Sequence, residues 1–98
     1  VRLRFTDLAN QEIVAATSYY EEHREALGDR FERAVDVAVE VIAQSPERYR
    51  TYWKNHRRVF LRDFPYFLVY RFDGVEVVVA GCIHSSRSPT TWKKRDLG

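Results

Sequence analysis

A chain of 98 residues, 45% apolar and 31% charged, is long enough to close one hydrophobic core and too short for two domains. Its single cysteine excludes an internal disulfide and a thiolate zinc site, and no apolar run approaches the roughly 20 residues of a membrane span. With no secretory signal at its start, the expectation is a soluble cytoplasmic protein that makes no membrane contact.

The net charge of +2 conceals an asymmetry. Residues 1–47 carry 5 basic and 10 acidic side chains, whereas residues 48–98 carry 11 and 4. Arg48, Arg50, Lys54, Arg57, Arg58 and Arg62 fall in a stretch without an acid, and so do Arg87, Lys93, Lys94 and Arg95. If these stretches meet, they form an electropositive face that attracts a phosphate backbone or an acidic peptide. A basic side kept for solubility accounts for the same composition.

Along the chain, Val1-Arg2-Leu3-Arg4-Phe5 alternates with period 2 and predicts a first strand. From about Asp7 the period changes: Ala9, Ile13, Ala16, Tyr20, His23 and Leu27 describe one helical stripe, capped by Thr6 or Asp7. Gly28 suggests a sharp turn. Asp29 and Glu32 fit a capping box opening a second helix, which buries Phe31, Ala34, Val35, Ala38, Val41 and Ile42 and ends at Ser45-Pro46. Two helices so closely joined should pack as an antiparallel hairpin.

Residues 46–56 read as a polar connection studded with aromatics. Three strand-like runs follow, Arg57 to Phe64, Tyr66 to Phe72 and Val75 to Ile83, with Asp73-Gly74 as a two-residue hairpin loop. Pro65 breaks the ladder between the first two runs. The order is β-α-α-β-β-β in the α+β class, a helical hairpin covering one face of a mainly antiparallel sheet. In the last run, Val75, Val77, Val79 and Ile83 alternate with Glu76, Val78, Ala80, Cys82 and His84, and only one set can face the helices.

Candidate chemistry is sparse. The four glycines are scattered, so no phosphate loop is present, and His23, His56 and His84 have no metal-ligand spacing; neither cofactor nor metal is expected. Glu21 and Glu22 read as solvated helix surface. Cys82 beside His84 could be a nucleophile, but a thiol in an apolar run is more often a small core residue. Arg58, Arg62, His84 and Arg87 are the right types for metal-free cleavage of RNA by its own 2′-hydroxyl, and equally right for gripping carboxylates. Tyr52 and Trp53 alternate with basic residues, as nucleic-acid surfaces and interface hot spots do, or as a loop folded over a sheet edge does.

The stretches "SPERYRTYWKNHRRVFLRDFPYFLVYRFDG", "VVVAGCIHSSRSPTTW" and "KKR", with "ATSYYEEHREALGDRFERAV" in the hairpin, resemble the RelE/ParE family of type II toxin–antitoxin toxins, and its ParE branch most closely. The resemblance implies a RelE/ParE-like two-layer domain over residues 1–98. It implies a toxin that inhibits DNA gyrase by stabilising the cleaved-DNA complex, without being an enzyme, and that forms a hetero-oligomer with a cognate ParD-like antitoxin. Arg87, Trp92, Lys93, Lys94 and Arg95 are then the expected target contacts, and Arg58, Arg62, Arg71, Tyr52 and Trp53 the expected antitoxin contacts. The RelE alternative is a ribosome-dependent messenger RNA endoribonuclease using His84, Arg87, Arg58 and Arg62. No tyrosine follows Tyr70, and that branch's best-known form uses one near the carboxyl terminus. A non-toxic interaction domain of the same fold is the remaining alternative.

Overall fold

The computed structural model describes residues 1–93, with backbone only at Thr90 and Thr91. Strand β1 (Arg2–Phe5) leads into helix α1 (Asp7–His23), and α2 (Leu27–Gln44) returns antiparallel to it. Then come β2 (Thr51–Trp53), β3 (His56–Phe60), β4 (Tyr66–Phe72), β5 (Glu76–His84) and a short α3 (Pro89–Lys93). The five strands form one sheet in the order β1-β5-β4-β3-β2. Only the β1–β5 pair is parallel: after the helices the chain re-enters the sheet on β2, opposite in direction to β1, and the three antiparallel steps from β2 to β5 bring it back parallel.

The expected α+β layout stands, with two additions. Thr51–Trp53 is an edge strand rather than connection, and Pro89–Lys93 is a closing helix. β3 ends at Phe60, earlier than its apolar run suggests, because Asp63 turns through φ +69° before Pro65, and Leu61 N–H already bonds the Tyr66 carbonyl at 2.9 Å.

Thr6 caps α1 by accepting the Ala9 N–H at 3.1 Å. Ala9 and Ala16, both buried, let α1 approach the sheet closely. α2 buries the stripe Phe31, Val35, Ala38 and Ile42, each large member contributing about 1.5–3 kcal/mol by leaving water. His23 leaves the predicted stripe; it is exposed, with Nδ1 2.7 Å from the Tyr19 carbonyl oxygen.

The turn between the helices differs from expectation. The left-handed residue is Ala26 at φ +68°, not Gly28, and no side chain of the Asp29 box caps α2. Glu21 does that from the neighbouring helix: its two carboxylate oxygens accept the N–H groups of Ala26 (3.2 Å) and Gly28 (3.0 Å). Gly28 is glycine for space, since a β-carbon there would lie 2.9 Å from both Glu21 Cβ and the Thr17 carbonyl oxygen. Glu21 is thus a structural acid rather than idle surface.

The helix-side core gathers Leu68, Tyr70, Val77, Val79, Cys82 and Val59 under the two helices. At one end Tyr20, Phe31, Phe64 and Tyr66 pack ring against ring, with centroids 4.9–6.2 Å apart. At the other, the buried Tyr70 hydroxyl donates to the Pro46 carbonyl at 2.7 Å, pinning the exit of α2 to the sheet. Burial raises the Tyr70 pKa.

Candidate functional site

A bulge in β5 decides which side chains share a face. Val69 pairs with Gly81 but its neighbour Tyr70 pairs with Val79, so Ala80 is the extra residue. The parity of β5 reverses there: Val77 and Val79 face the helices, and so do Cys82 and His84, while Val78, Ala80 and Ile83 face outward. Strict alternation had separated Cys82 and His84 from Val77; the inserted residue reunites them.

Past Val79, β5 has lost β1 as a neighbour, and its amides need partners from elsewhere. Glu12 on α1 fills the gap. Its Oε1 accepts the Cys82 N–H at 3.0 Å, and its Oε2 lies 3.8 Å from an Arg87 guanidinium nitrogen. His84 Nδ1 accepts the Ser86 N–H at 3.1 Å and stands 2.8 Å from its hydroxyl, which assigns the ring proton of the neutral form to Nε2. The imidazole meets Tyr66 edge-on at 5.0 Å. These groups line a cleft of about 230 Å³ between α1 and the end of β5.

Cys82 is no nucleophile in this setting. It is 3% exposed, and burial, reinforced by the Glu12 carboxylate, pushes its thiol up to about 12. Burial likewise raises the Tyr66 phenol, with smaller contributions from Tyr20, Cys82 and Tyr19, while Arg87 opposes them.

The other basic residues lie elsewhere. Arg62, in the β3–β4 turn, faces Arg30 and Arg33 of α2 across a groove of about 180 Å³ whose apolar lining is Ala34, Val37 and Phe64. Arg58 stands on the opposite, outer face of the sheet. Its guanidinium carbon lies 3.6 Å from the centre of the Tyr52 ring, 5.0 Å from Phe60 and 5.3 Å from Phe67. Lys93 sits over Trp53 at 4.5 Å and Tyr52 at 4.8 Å. Arg71 shares the outer face, opposite Val78 on one side and His56 on the other.

Trp92, expected as a target contact, is 1% exposed. It packs with Phe67, Val69, Ala80 and Ile83 in a second, outer cluster and fastens α3 to the sheet. Lys94 and Arg95 lie outside the described residues.

Residues 3–89 match the family model for the ParE toxin of type II toxin–antitoxin systems, parDE. The chain belongs to the ParE toxin family. Toxin ParE2 of Mycobacterium tuberculosis, from strains CDC 1551 / Oshkosh and ATCC 25618 / H37Rv, is 27% identical over 92 residues, covering 90% of this chain and 85% of that protein. A solved structure described as the chromosomal ParDE TA system from P. aeruginosa superposes with a TM-score of 0.65 at 18% identity, over 86% of this chain and 95% of the other. That second likeness concerns the fold: two helices on a five-stranded, mostly antiparallel sheet.

On this ParE-family scaffold the four residues considered for RNA cleavage do not converge. His84 and Arg87 line the α1 cleft, Arg62 the α2 groove, and Arg58 the outer face. The expected antitoxin set divides too, with Tyr52, Trp53, Arg58 and Arg71 on one face and Arg62 on the other. Sequence reasoning missed Glu12, Arg30 and Arg33. The signal for the two arginines was their spacing of three in α2 beside the exposed Val37; Glu12 carried no signal, because its role depends on where β1 stops.

Proposed function

We propose that this ParE-type toxin of a type II toxin–antitoxin module acts as a non-enzymatic inhibitor of DNA gyrase and is neutralised by a cognate ParD-like antitoxin. The observation that supports the inhibitor reading is the dispersal of His84, Arg87, Arg58 and Arg62 over two faces of the sheet, with Arg87 engaged by Glu12. Metal-free phosphodiester cleavage needs its proton donor and its cations around one phosphate. Recognition has no such requirement. Arg87 and Lys93, with Lys94 and Arg95 beyond the described residues, are the target-facing cations in this reading, and Trp92 supports them from beneath.

The groove of Arg30, Arg33 and Arg62 around Ala34, Val37 and Phe64, in which the three arginines outnumber the one acid, Asp63, suits an acidic amphipathic segment: apolar side chains against the floor, carboxylates against the guanidinium groups. Val37 is 51% exposed, an apolar surface that a partner would cover. The toxin would then work in the cytoplasm as one half of a hetero-oligomer. Induced expression of the chain alone should arrest growth, and co-expression with the adjacent antitoxin gene should relieve it and copurify both products. Arg33→Glu with Arg62→Glu should reduce that capture at least tenfold. Growth that continues without the antitoxin contradicts the toxin reading, and capture insensitive to the double charge reversal contradicts this groove.

A further inference from the structure

The free edge of β3 holds a second basic and aromatic feature, which shares Lys93 with the proposed gyrase-facing cations and is otherwise used by neither gyrase inhibition nor antitoxin capture. β2 pairs with β3 only at His56 and Arg57, so among the described residues the later part of β3 has no strand beside it on that side. There the chain leaves a cleft of about 470 Å³ lined by Tyr49, Arg50, Thr51, Tyr52, Arg58 and Phe60, among others. That volume lies within the roughly 300–1,000 Å³ common for small-molecule sites. Phe60 offers a ring that is 56% exposed at its mouth, although a phenylalanine on a sheet is ordinarily covered.

Cations and rings are interleaved here. Arg58 lies over Tyr52 and within 5.0 Å of the Phe60 ring centre, and Lys93 covers Tyr52 and Trp53. Among the described residues, the ion pairs involve Arg2, Arg4 and Arg87 with Glu76 and Glu12, and none reaches Arg50, Arg58 or Lys93. Arg58 and Lys93 are therefore held on aromatic faces and Arg50 lines the cleft, none of the three paired with a carboxylate among the described residues. Flat π-surfaces beside uncompensated cations are what a nucleobase and its flanking phosphates need. A carboxylate ligand would use these cations alone and leave the exposed Phe60 ring unoccupied.

We propose that this cleft binds single-stranded nucleic acid, with a base stacked on Phe60 beside the Arg58 guanidinium and adjacent phosphates drawn to Arg50 and Lys93. No cleavage is implied, since His84 stands on the opposite face. The site goes beyond the gyrase reading and survives its failure.

The test is fluorescence anisotropy of a labelled 12-nucleotide oligothymidylate with the purified full chain across a salt series. With Arg58 neutralising the phosphate of the stacked base and Arg50 and Lys93 one neighbour each, three contacts give a log–log slope of binding constant against salt of about −2 for a single strand. Phe60→Ala should weaken binding roughly fivefold or more, as loss of one stacking partner does. Arg58→Gln should also weaken it and flatten the slope. Arg24→Gln, the same charge change at the exposed end of α1, should move affinity less than twofold. Absence of binding at low salt overturns the proposal. So does equal weakening by Arg24→Gln and Arg58→Gln, which is diffuse attraction, and so does a polyglutamate of equal length that binds as tightly with the same dependence on Phe60, which is an acidic-peptide site.

Discussion

Trp92 stacks on Tyr52 with ring centroids 5.9 Å apart and planes 25° from parallel, so the closing helix and the edge strand share one aromatic stack. The second cluster of the fold depends on that contact. Without Trp92, Phe67, Val69, Ala80 and Ile83 lose the indole that covers them. Trp92→Ala should therefore release α3. Truncating a fully buried Trp costs about 3–5 kcal/mol where the surroundings are held in place. Here a five-residue helix can detach, so the global loss should be smaller, about 1–3 kcal/mol, with a marked rise in protease cutting after Ser85. Denaturant midpoints and limited proteolysis check both, and unchanged proteolysis contradicts this role.

The helical hairpin offers a pair of opposite outcomes two residues apart. Gly28→Ala should destabilise by about 1–3 kcal/mol, because the new methyl meets Glu21 Cβ and the Thr17 carbonyl oxygen at 2.9 Å. Ala26→Gly should stabilise by about 0.5–1 kcal/mol, because it relieves a left-handed alanine at φ +68°, with the gain limited by a floppier unfolded chain. Glu21→Ala should cost about 0.5–2 kcal/mol by uncapping α2. Urea unfolding of the three variants measures all of this.

Cys82 should be nearly inert to alkylation in the folded protein. With its thiol pushed up to about 12, the thiolate fraction at neutral pH is roughly a thousandfold below that of a free cysteine near 8.5. Burial adds a steric block. Iodoacetamide labelling should follow unfolding, and rapid native labelling contradicts the position of Glu12 and the bulge around it.

Asp73 gives the β4–β5 hairpin a pH dependence. Its Oδ1 accepts the N–H groups of Glu76 at 2.7 Å and Val75 at 2.9 Å, and these bonds hold its carboxyl below the ordinary range. A lowered folded-state pKa favours the ionised form in the native state. The resulting stability is present above about pH 3.9, the unfolded value, and disappears as pH falls through the lower folded value. Asp73→Ala should thus be less stable than the parent at pH 7, and the gap should close towards pH 2. A gap independent of pH contradicts the assignment.

The parts legible in the sequence were those with a clean period or an unambiguous breaker. β1 alternates, α2 repeats its apolar stripe at helical spacing, and Ser45-Pro46 ends it. Asp73-Gly74 marked the hairpin, although Gly74 and Val75 are its central residues, with Gly74 at φ +95° where a II′ turn takes glycine. What stayed hidden depends on two segments at once. One inserted residue at Ala80 moves Cys82 and His84 across the sheet without leaving a mark in composition. Thr51–Trp53 is too short to show alternation and is a strand only because β3 lies beside it. The basic residues were identifiable as a group, but their division among cleft, groove and outer face follows from the faces of β3 and β5 and from where β3 stops.

The most direct measurement of the central claim is a titration of purified, antitoxin-free chain into gyrase acting on relaxed plasmid, run in parallel with an active translation system. The proposed function predicts loss of supercoiling with accumulation of cleaved DNA, at toxin concentrations that scale with the gyrase present, and intact messages in the translation arm. Unchanged supercoiling at large excess, or codon-phased cuts in messages at substoichiometric toxin, contradicts it.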